Sequence, residues 1–292
     1  MTKIITRRDF MRKGTYTVLG TAVGFSSLKS SQKTSRVILI RHPEVLNEDL
    51  KFNDKIIREM LDKAIMTLFE QNDPISIIKQ LIKPDDIVGI KSNEWNYLPT
   101  PVELENAIKH MVMDAGVKKE NIGIDDRGVR ENPVFQKATA LINVRPLRTH
   151  SIAGISGCMK NYITFSDNYP SYHPNNCENL AKLFQLPLVK GKTRLHILSV
   201  LTPQFHGRGP HHFSRRYVWP YKGLLVGIDP VAVDSVGLRI IMAKRAKFFS
   251  KNSRLPFSPT HIKAADLKHK LGTSDPNKID LVKLGWKEEI LI

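Results

Sequence analysis

Residues able to do chemistry gather just after short β-branched runs. Ser92 and Asn93 follow residues 86–91 (DIVGIK), whose last member is Lys91. Asp126 and Arg127 follow residues 121–125 (NIGID), which end on Asp125. Arg145, Arg148 and His150 follow residues 140–144 (ALINV); Thr202, Gln204, His206 and Arg208 follow residues 195–201 (LHILSVL); Asp229 follows residues 223–228 (GLLVGI). Open parallel α/β sheets bind ligands outside the carboxyl ends of their strands. Five strand ends therefore deliver bases, acids and imidazoles to one rim. Any loop is polar, so no single residue decides the matter; the set does. Lys91, Asn93, Asp125, Arg148, Asn161, His206 and Arg208 are read as ligand-binding. Lys160, His150 and Asp229 are read as catalytic, His150 or Asp229 moving protons.

Two glycine-containing loops invite a phosphate reading. Residues 154–161 (GISGCMKN) lack the GxxxxGK[ST] spacing of a P-loop. Residues 206–212 (HGRGPHH) bring three imidazoles and an arginine close together, a set that would suit a metal, an anion or nothing. Pro210 prevents a regular histidine face, and the identity of any metal stays open. Cys158 and Cys177 are read first as inert thiols, then as a disulfide pair, then as a soft ligand. Asp234 stands on the apolar stripe of Val231, Leu238 and Ile241, so it must be paired, protonated or ligating. It is read as structural, held by a salt bridge or by loop backbone, with anchoring of a catalytic lysine or arginine as the functional alternative.

The elements that position these groups follow from periodicity. Residues 36–41 (RVILIR) and the five runs above read as buried strands. Residues 55–69, 101–115 and 230–245 read as helices: Thr100 is the expected N-cap of the second, with Pro101 at N1, and Asp229 that of the third. Alternation of strand and helix predicts an α/β fold with a mostly parallel sheet flanked by helices. Residues around 148–222 break the alternation. They read as a long irregular insertion over the strand carboxyl ends, with one helix at 177–185.

The chain has 292 residues, 41% hydrophobic, with a formal net charge of +17. That suffices for a substantial core and excludes whole-chain disorder. Two cysteines exclude a disulfide framework and any ferredoxin-type iron–sulfur motif. No apolar run is long enough to span a bilayer. Positive charge favours anionic partners, but no RRM, KH or helix-turn-helix pattern supports nucleic acid. Residues 1–33 carry seven basic groups and one acid, then a weakly apolar stretch broken by Gly14, Gly20 and Gly24. Arg7 and Arg8, followed by Asp9 and Phe10, resemble a twin-arginine export signal. The expected arrangement is a signal at 1–33, a single α/β domain at 34–292, the twin-arginine machinery as partner, and a periplasmic or other extracytoplasmic destination.

Several segments resemble, in order, the domain-of-unknown-function family three-six-two. They are Ile90-Lys91-Ser92-Asn93, Thr100-Pro101 opening a helix that ends Asp114-Ala115-Gly116, and Arg145-Pro146-Leu147-Arg148-Thr149-His150, where Arg148 replaces the family's usual lysine. Lys160-Asn161 and Ile228-Asp229-Pro230-Val231-Ala232-Val233-Asp234 complete the set. The resemblance runs over residues 86–242. It implies no settled activity; relatives with an added iron–sulfur module imply redox work, and this chain lacks that module. Thr202-Pro203-Gln204 stands where the family has an acid, which weakens a carried-over metal site. Two readings compete: an exported enzyme, redox-linked or metal-assisted, acting on a small anionic molecule, and a non-catalytic ligand-binding or assembly factor for a redox partner protein.

Overall fold

The computed structural model describes residues 34–49, 51–207, 213–250 and 253–292. Arg7, Arg8 and Arg208 lie outside the described residues, as do His211 and His212. Eight strands form one sheet: β1 (Ser35–Arg41), β2 (Val88–Lys91), β3 (Ile122–Asp125), β4 (Ala140–His150), β5 (Gly154–Ser156), β6 (Thr193–Gln204), β7 (Gly223–Gly227) and β8 (Ile279–Gly285). Their order is β3-β2-β4-β6-β7-β1-β8, with β5 folding back on the end of β4. Strands β3, β2, β4 and β6 run parallel, as do β1 and β8, while β7 is antiparallel to both neighbours. The fold is α/β, as the alternation predicts.

Successive side chains of a strand point to opposite faces, and each face buries its own core. Ile38, Ile40, Ile142, Val144, Ile197 and Val226 pack beneath helices α1 (Asp54–Phe69), α2 (Pro74–Leu81) and α3 (Val102–Asp114). Val37, Leu39, Leu141, Leu147, Leu198 and Leu225 pack with α6 (Pro230–Phe249) and α7 (Thr260–Leu267), α4 (Pro133–Lys137) and α5 (Cys158–Asn161) lying on this second face. Each fully buried aliphatic side chain contributes about 1.5–3 kcal/mol, so both faces are committed. Among the described residues no helix is long and apolar enough to cross a membrane.

Three sequence expectations need correcting. Because β7 runs antiparallel, its carboxyl end lies at the opposite edge of the sheet from those of β2, β4 and β6. Asp229 therefore stands away from the rim, capping α6 through Val231 N (2.9 Å) and Ala232 N (3.2 Å) and accepting from Ser35 Oγ (2.7 Å) at the start of β1. It does not join the other marked residues at the carboxyl ends of the parallel strands. The helix expected at 177–185 is a tight turn, Pro174–Cys177, followed by the 3-10 segment Leu180–Gln185. Asn175, Asn176 and Cys177 take left-handed φ values of 52°, 56° and 64°, which no right-handed helix contains. Finally, Thr100 does not cap α3: Pro101 is the cap residue, and Thr100 Oγ1 accepts from Asn93 N at 3.1 Å.

Candidate functional site

The site is built where β2, β3 and β4 end beneath α5. Lys91 stands beside Asp125 on one side and Asn143 on the other. Its side chain is fully buried, and Nζ donates to Asp126 Oδ1 (2.5 Å) and to the Ser92 carbonyl (2.7 Å). Asp126, 4% exposed, also accepts from Glu94 N at 2.9 Å. On β4, alternation puts Asn143 and Arg145 on the face toward α5. Asn161 closes the seam: Nδ2 reaches the Lys91 carbonyl (3.1 Å), Asn143 Oδ1 (2.8 Å) and the Val144 carbonyl (3.1 Å).

Helix α5 is only one turn long, and its start is fixed from across the core. Asp234 Oδ1 accepts from Cys158 N (2.6 Å) and Oδ2 from Met159 N (3.0 Å). The expected partner of Asp234 is thus loop backbone. Burial pushes its carboxyl up to about 6, against the pull of those two N–H groups and of Arg145. A glycine precedes α5 because a Cβ at Gly157 would come within 2.2 Å of Asp234 Oδ1. Asp234→Ala strands two buried N–H groups at about 1–3 kcal/mol each, so we expect a loss of about 3 kcal/mol in a denaturant midpoint measurement. An unchanged midpoint would refute this capping role. The raised carboxyl adds stability below the ordinary carboxylate range and loses it as pH rises through about 6; the variant should lack that slope.

Above this frame lies a cavity of about 160 Å³, whose lining includes Asn93, Trp95, Asp126, Arg145, Arg148, Ser156, Lys160, Asn161 and Thr164. Seven buried side-chain atoms on these residues have no hydrogen-bond partner among the described residues: Asn93 Oδ1, Arg145 Nη2, Arg148 Nε and Nη1, Ser156 Oγ, Asn161 Oδ1 and Thr164 Oγ1. Buried polar atoms are nearly always partnered, so this concentration marks a place made for a ligand. Five of the seven belong to guanidinium or hydroxyl groups, which can donate. The Arg148 guanidinium lies 3.8 Å from the centre of the Trp95 ring, which fixes its plane at the wall. Trp95 in turn packs on Tyr97 and Phe213.

Charge at the cavity is unbalanced toward positive. Among the described residues Asp126 is the sole carboxylate of the lining, set against Arg127, Arg145, Arg148 and Lys160. Burial opposes the Asp126 carboxylate, yet Lys91 outweighs it and holds its pKa below the usual range. Burial brings Lys91 down to about 8, Asp126 resisting. Both arginines are depressed chiefly by burial, Arg148 further by its neighbour Arg145. Lys160, 6% exposed, has no carboxylate partner among the described residues; its Nζ stands 3.4 Å from His173 Nε2.

Of the residues marked in the sequence, Asn93, Arg148, Lys160 and Asn161 meet at this cavity, with Lys91 directly behind it. Asp125 does not: it accepts from Gly128 N (2.8 Å) and Asn132 Nδ2 (3.0 Å), bracing the turn after β3. His150 Nδ1 accepts from Ile152 N (3.1 Å) and Ala153 N (3.2 Å) in the β4–β5 turn, and burial lowers its pKa to about 2. It lies outside the lining of the cavity. His206 pairs with Arg245 (3.1 Å) away from the cavity. Cys158 and Cys177 are free and buried. Among the described residues no three His, Cys, Asp or Glu side chains are arranged to hold a metal ion. Sequence reading passed over Trp95, Ser156, Thr164 and His173, and named Asp126 and Arg145 only as rim residues.

Fold and cavity together define an α/β protein with a cationic pocket at the carboxyl ends of its parallel strands. Residues 105–239 match the family model described as a domain of unknown function (DUF362), which supports the resemblance read from the motifs. The matched stretch carries Asp126, Arg145, Arg148, Ser156, Lys160, Asn161 and Thr164; Lys91, Asn93 and Trp95 precede it. No curated protein and no solved structure matches the chain.

Proposed function

We propose that this is an exported protein whose cationic cavity holds the oxyanion head of a small molecule. The observation that carries the reading is the set of seven unpartnered buried atoms on six residues around one cavity, three of those atoms on arginine. An oxyanion would accept from Arg145, Arg148, Ser156 and Thr164 together, and charge-assisted hydrogen bonds of this kind are the strong ones.

Sulfate is the probe, because its charge is constant near neutrality. At constant ionic strength it should raise the melting temperature saturably, by the equivalent of about 2.7 kcal/mol at a hundred times its Kd. The effect should shrink between pH 7 and 9. Burial brings Lys160 to about 8, Cys177 pulling upward and Arg145 and Arg148 pressing further down, and Lys91 lies at about 8 as well. The imidazoles facing Lys160 do not titrate in that window: His150 lies at about 2, His261 at about 3, and His173 is lowered. Raising the pH therefore removes positive charge and nothing compensates. A sulfate effect that is absent, or grows over this window, would refute the anion reading.

Export rests on the Arg7-Arg8 pair alone. Changing both to lysine should leave the folded protein in the cytoplasm, as cell fractionation would show; undiminished export of that variant would end this part of the proposal.

A further inference from the structure

Lys160 is a lysine buried beside two arginines, and among the described residues no carboxylate is paired with it. We propose that Lys160 is a nucleophile that forms an imine with a small 2-oxo acid, whose carboxylate is held by Arg145 and Arg148. The inference rests on the oxyanion reading of the cavity and assigns its substrate class.

The geometry supports the neutral amine. His173 Nδ1 lies 2.9 Å from the Tyr169 carbonyl, which can only accept, so the proton is on Nδ1 and Nε2 is an acceptor. Nε2 is thus turned toward Lys160 Nζ as a base, and His173 is only half-buried, giving the proton a way to solvent. The backbone after His173 is held in an uncommon form: three successive non-glycine residues, Asn175 to Cys177, are left-handed, and Cys177 N donates to the His173 carbonyl at 3.2 Å. Left-handed backbone is strained for residues other than glycine, and such strain collects at functional sites. Desolvation next to other cations is the established way to make a lysine nucleophilic.

The step balances without a cofactor. Lys160 gives a proton to His173, and the freed lone pair attacks the ketone carbon. The C=O π pair moves to oxygen, which takes one proton from the nitrogen and one from the protonated His173 and leaves as water, while the C=N bond forms as an iminium. A carboxylate one bond from the ketone suits a cavity of this size, since it brings the carbonyl carbon and the anion together. With Lys160 at about 8, roughly two hundredfold more of it is neutral at pH 7.5 than of an ordinary lysine.

The test is borohydride reduction of the full protein with pyruvate or glyoxylate at pH 7.5, followed by peptide mapping. Hydride adds to the iminium carbon, leaving a stable secondary amine on the lysine. The expected result is an adduct concentrated on Lys160 and lost in Lys160→Arg, which removes the nucleophilic amine and keeps a cation at that position. Lys160→Met serves as the second variant should the arginine not fit. Absence of an adduct, or labelling spread over surface lysines and unchanged in the variants, overturns the imine. If sulfate and pyruvate still raise the melting temperature, only the imine has failed; if neither does, the oxyanion reading falls with it.

Discussion

Arg148→Met will leave the unliganded protein as stable as the wild type, or up to about 2 kcal/mol more stable, while removing most of the stabilisation by sulfate. Two magnitudes decide the first half. The guanidinium over Trp95 at 3.8 Å is a desolvated cation–π contact, worth up to about 2 kcal/mol. Against it stand Arg148 Nε and Nη1, buried with no partner among the described residues, at about 1–3 kcal/mol each. The like charge of Arg145 adds to the cost. Methionine keeps apolar contact with the indole and removes the unpaired donors, so the balance is neutral or favourable. The second half follows from what an anion would lose. Hydrogen bonds to charged groups contribute about 1.5–3 kcal/mol, so losing one or two weakens sulfate at least about tenfold. Thermal denaturation with and without sulfate measures both halves. A variant that is strongly destabilised yet responds fully to sulfate would show that Arg148 is a structural cation and the cavity something else.

How much of this was legible in the sequence depends on what each residue's neighbours are. Runs such as RVILIR and LHILSVL announce buried strands because their residues face apolar layers on both sides, and the observed strands β1 and β6 contain them. The orientation of β7 was not legible. GLLVGI reads the same in either direction, and only pairing with β1 and β6 tells that it runs backward and takes Asp229 to the far edge. The candidate site divides in the same way. Lys160 and Asn161 stood out through the resemblance to the family's motif and not through the strand rule, and α5 carries both against the sheet. Asp125 was chosen over Asp126 because the strand rule identifies an end without identifying a face; consecutive side chains diverge, so one acid braces a turn and the other enters the cavity. Trp95 and Thr164 left no local signal. Each reaches the cavity only through the path of its loop. The left-handed run at 175–177 was equally silent, since asparagine tolerates that conformation but does not demand it.

Asp126→Ala will cost about 3–5 kcal/mol, Lys91→Met less, and the double variant less than the sum of the two. The pair is buried at both ends, 0% and 6% exposed at the side chains, with a 2.5 Å contact. Removing the carboxylate leaves Lys91, Arg145 and Arg148 together without the acid that faces them from β3, and the Glu94 N–H loses its acceptor. Removing the ammonium is milder, because Asp126 still has Arg145 acting on it. The asymmetry is the signature of a cavity with surplus positive charge; a balanced ion pair would give two equal losses. Two further readouts follow from the same cause. Sulfate should stabilise Asp126→Ala more than it stabilises the wild type, since an anion in the cavity takes over the role of the missing carboxylate, and it should do little for Lys91→Met. Lys91, already depressed to about 8 with its partner present, falls further without it. A lysine whose folded pKa is depressed gives stability at high pH and loses it as pH falls through that value, so the deficit of Asp126→Ala should narrow as pH rises. Equal losses from the two single variants, together with a sulfate response no larger than that of the wild type, would place the charge balance elsewhere and leave the cavity without its electrostatic argument.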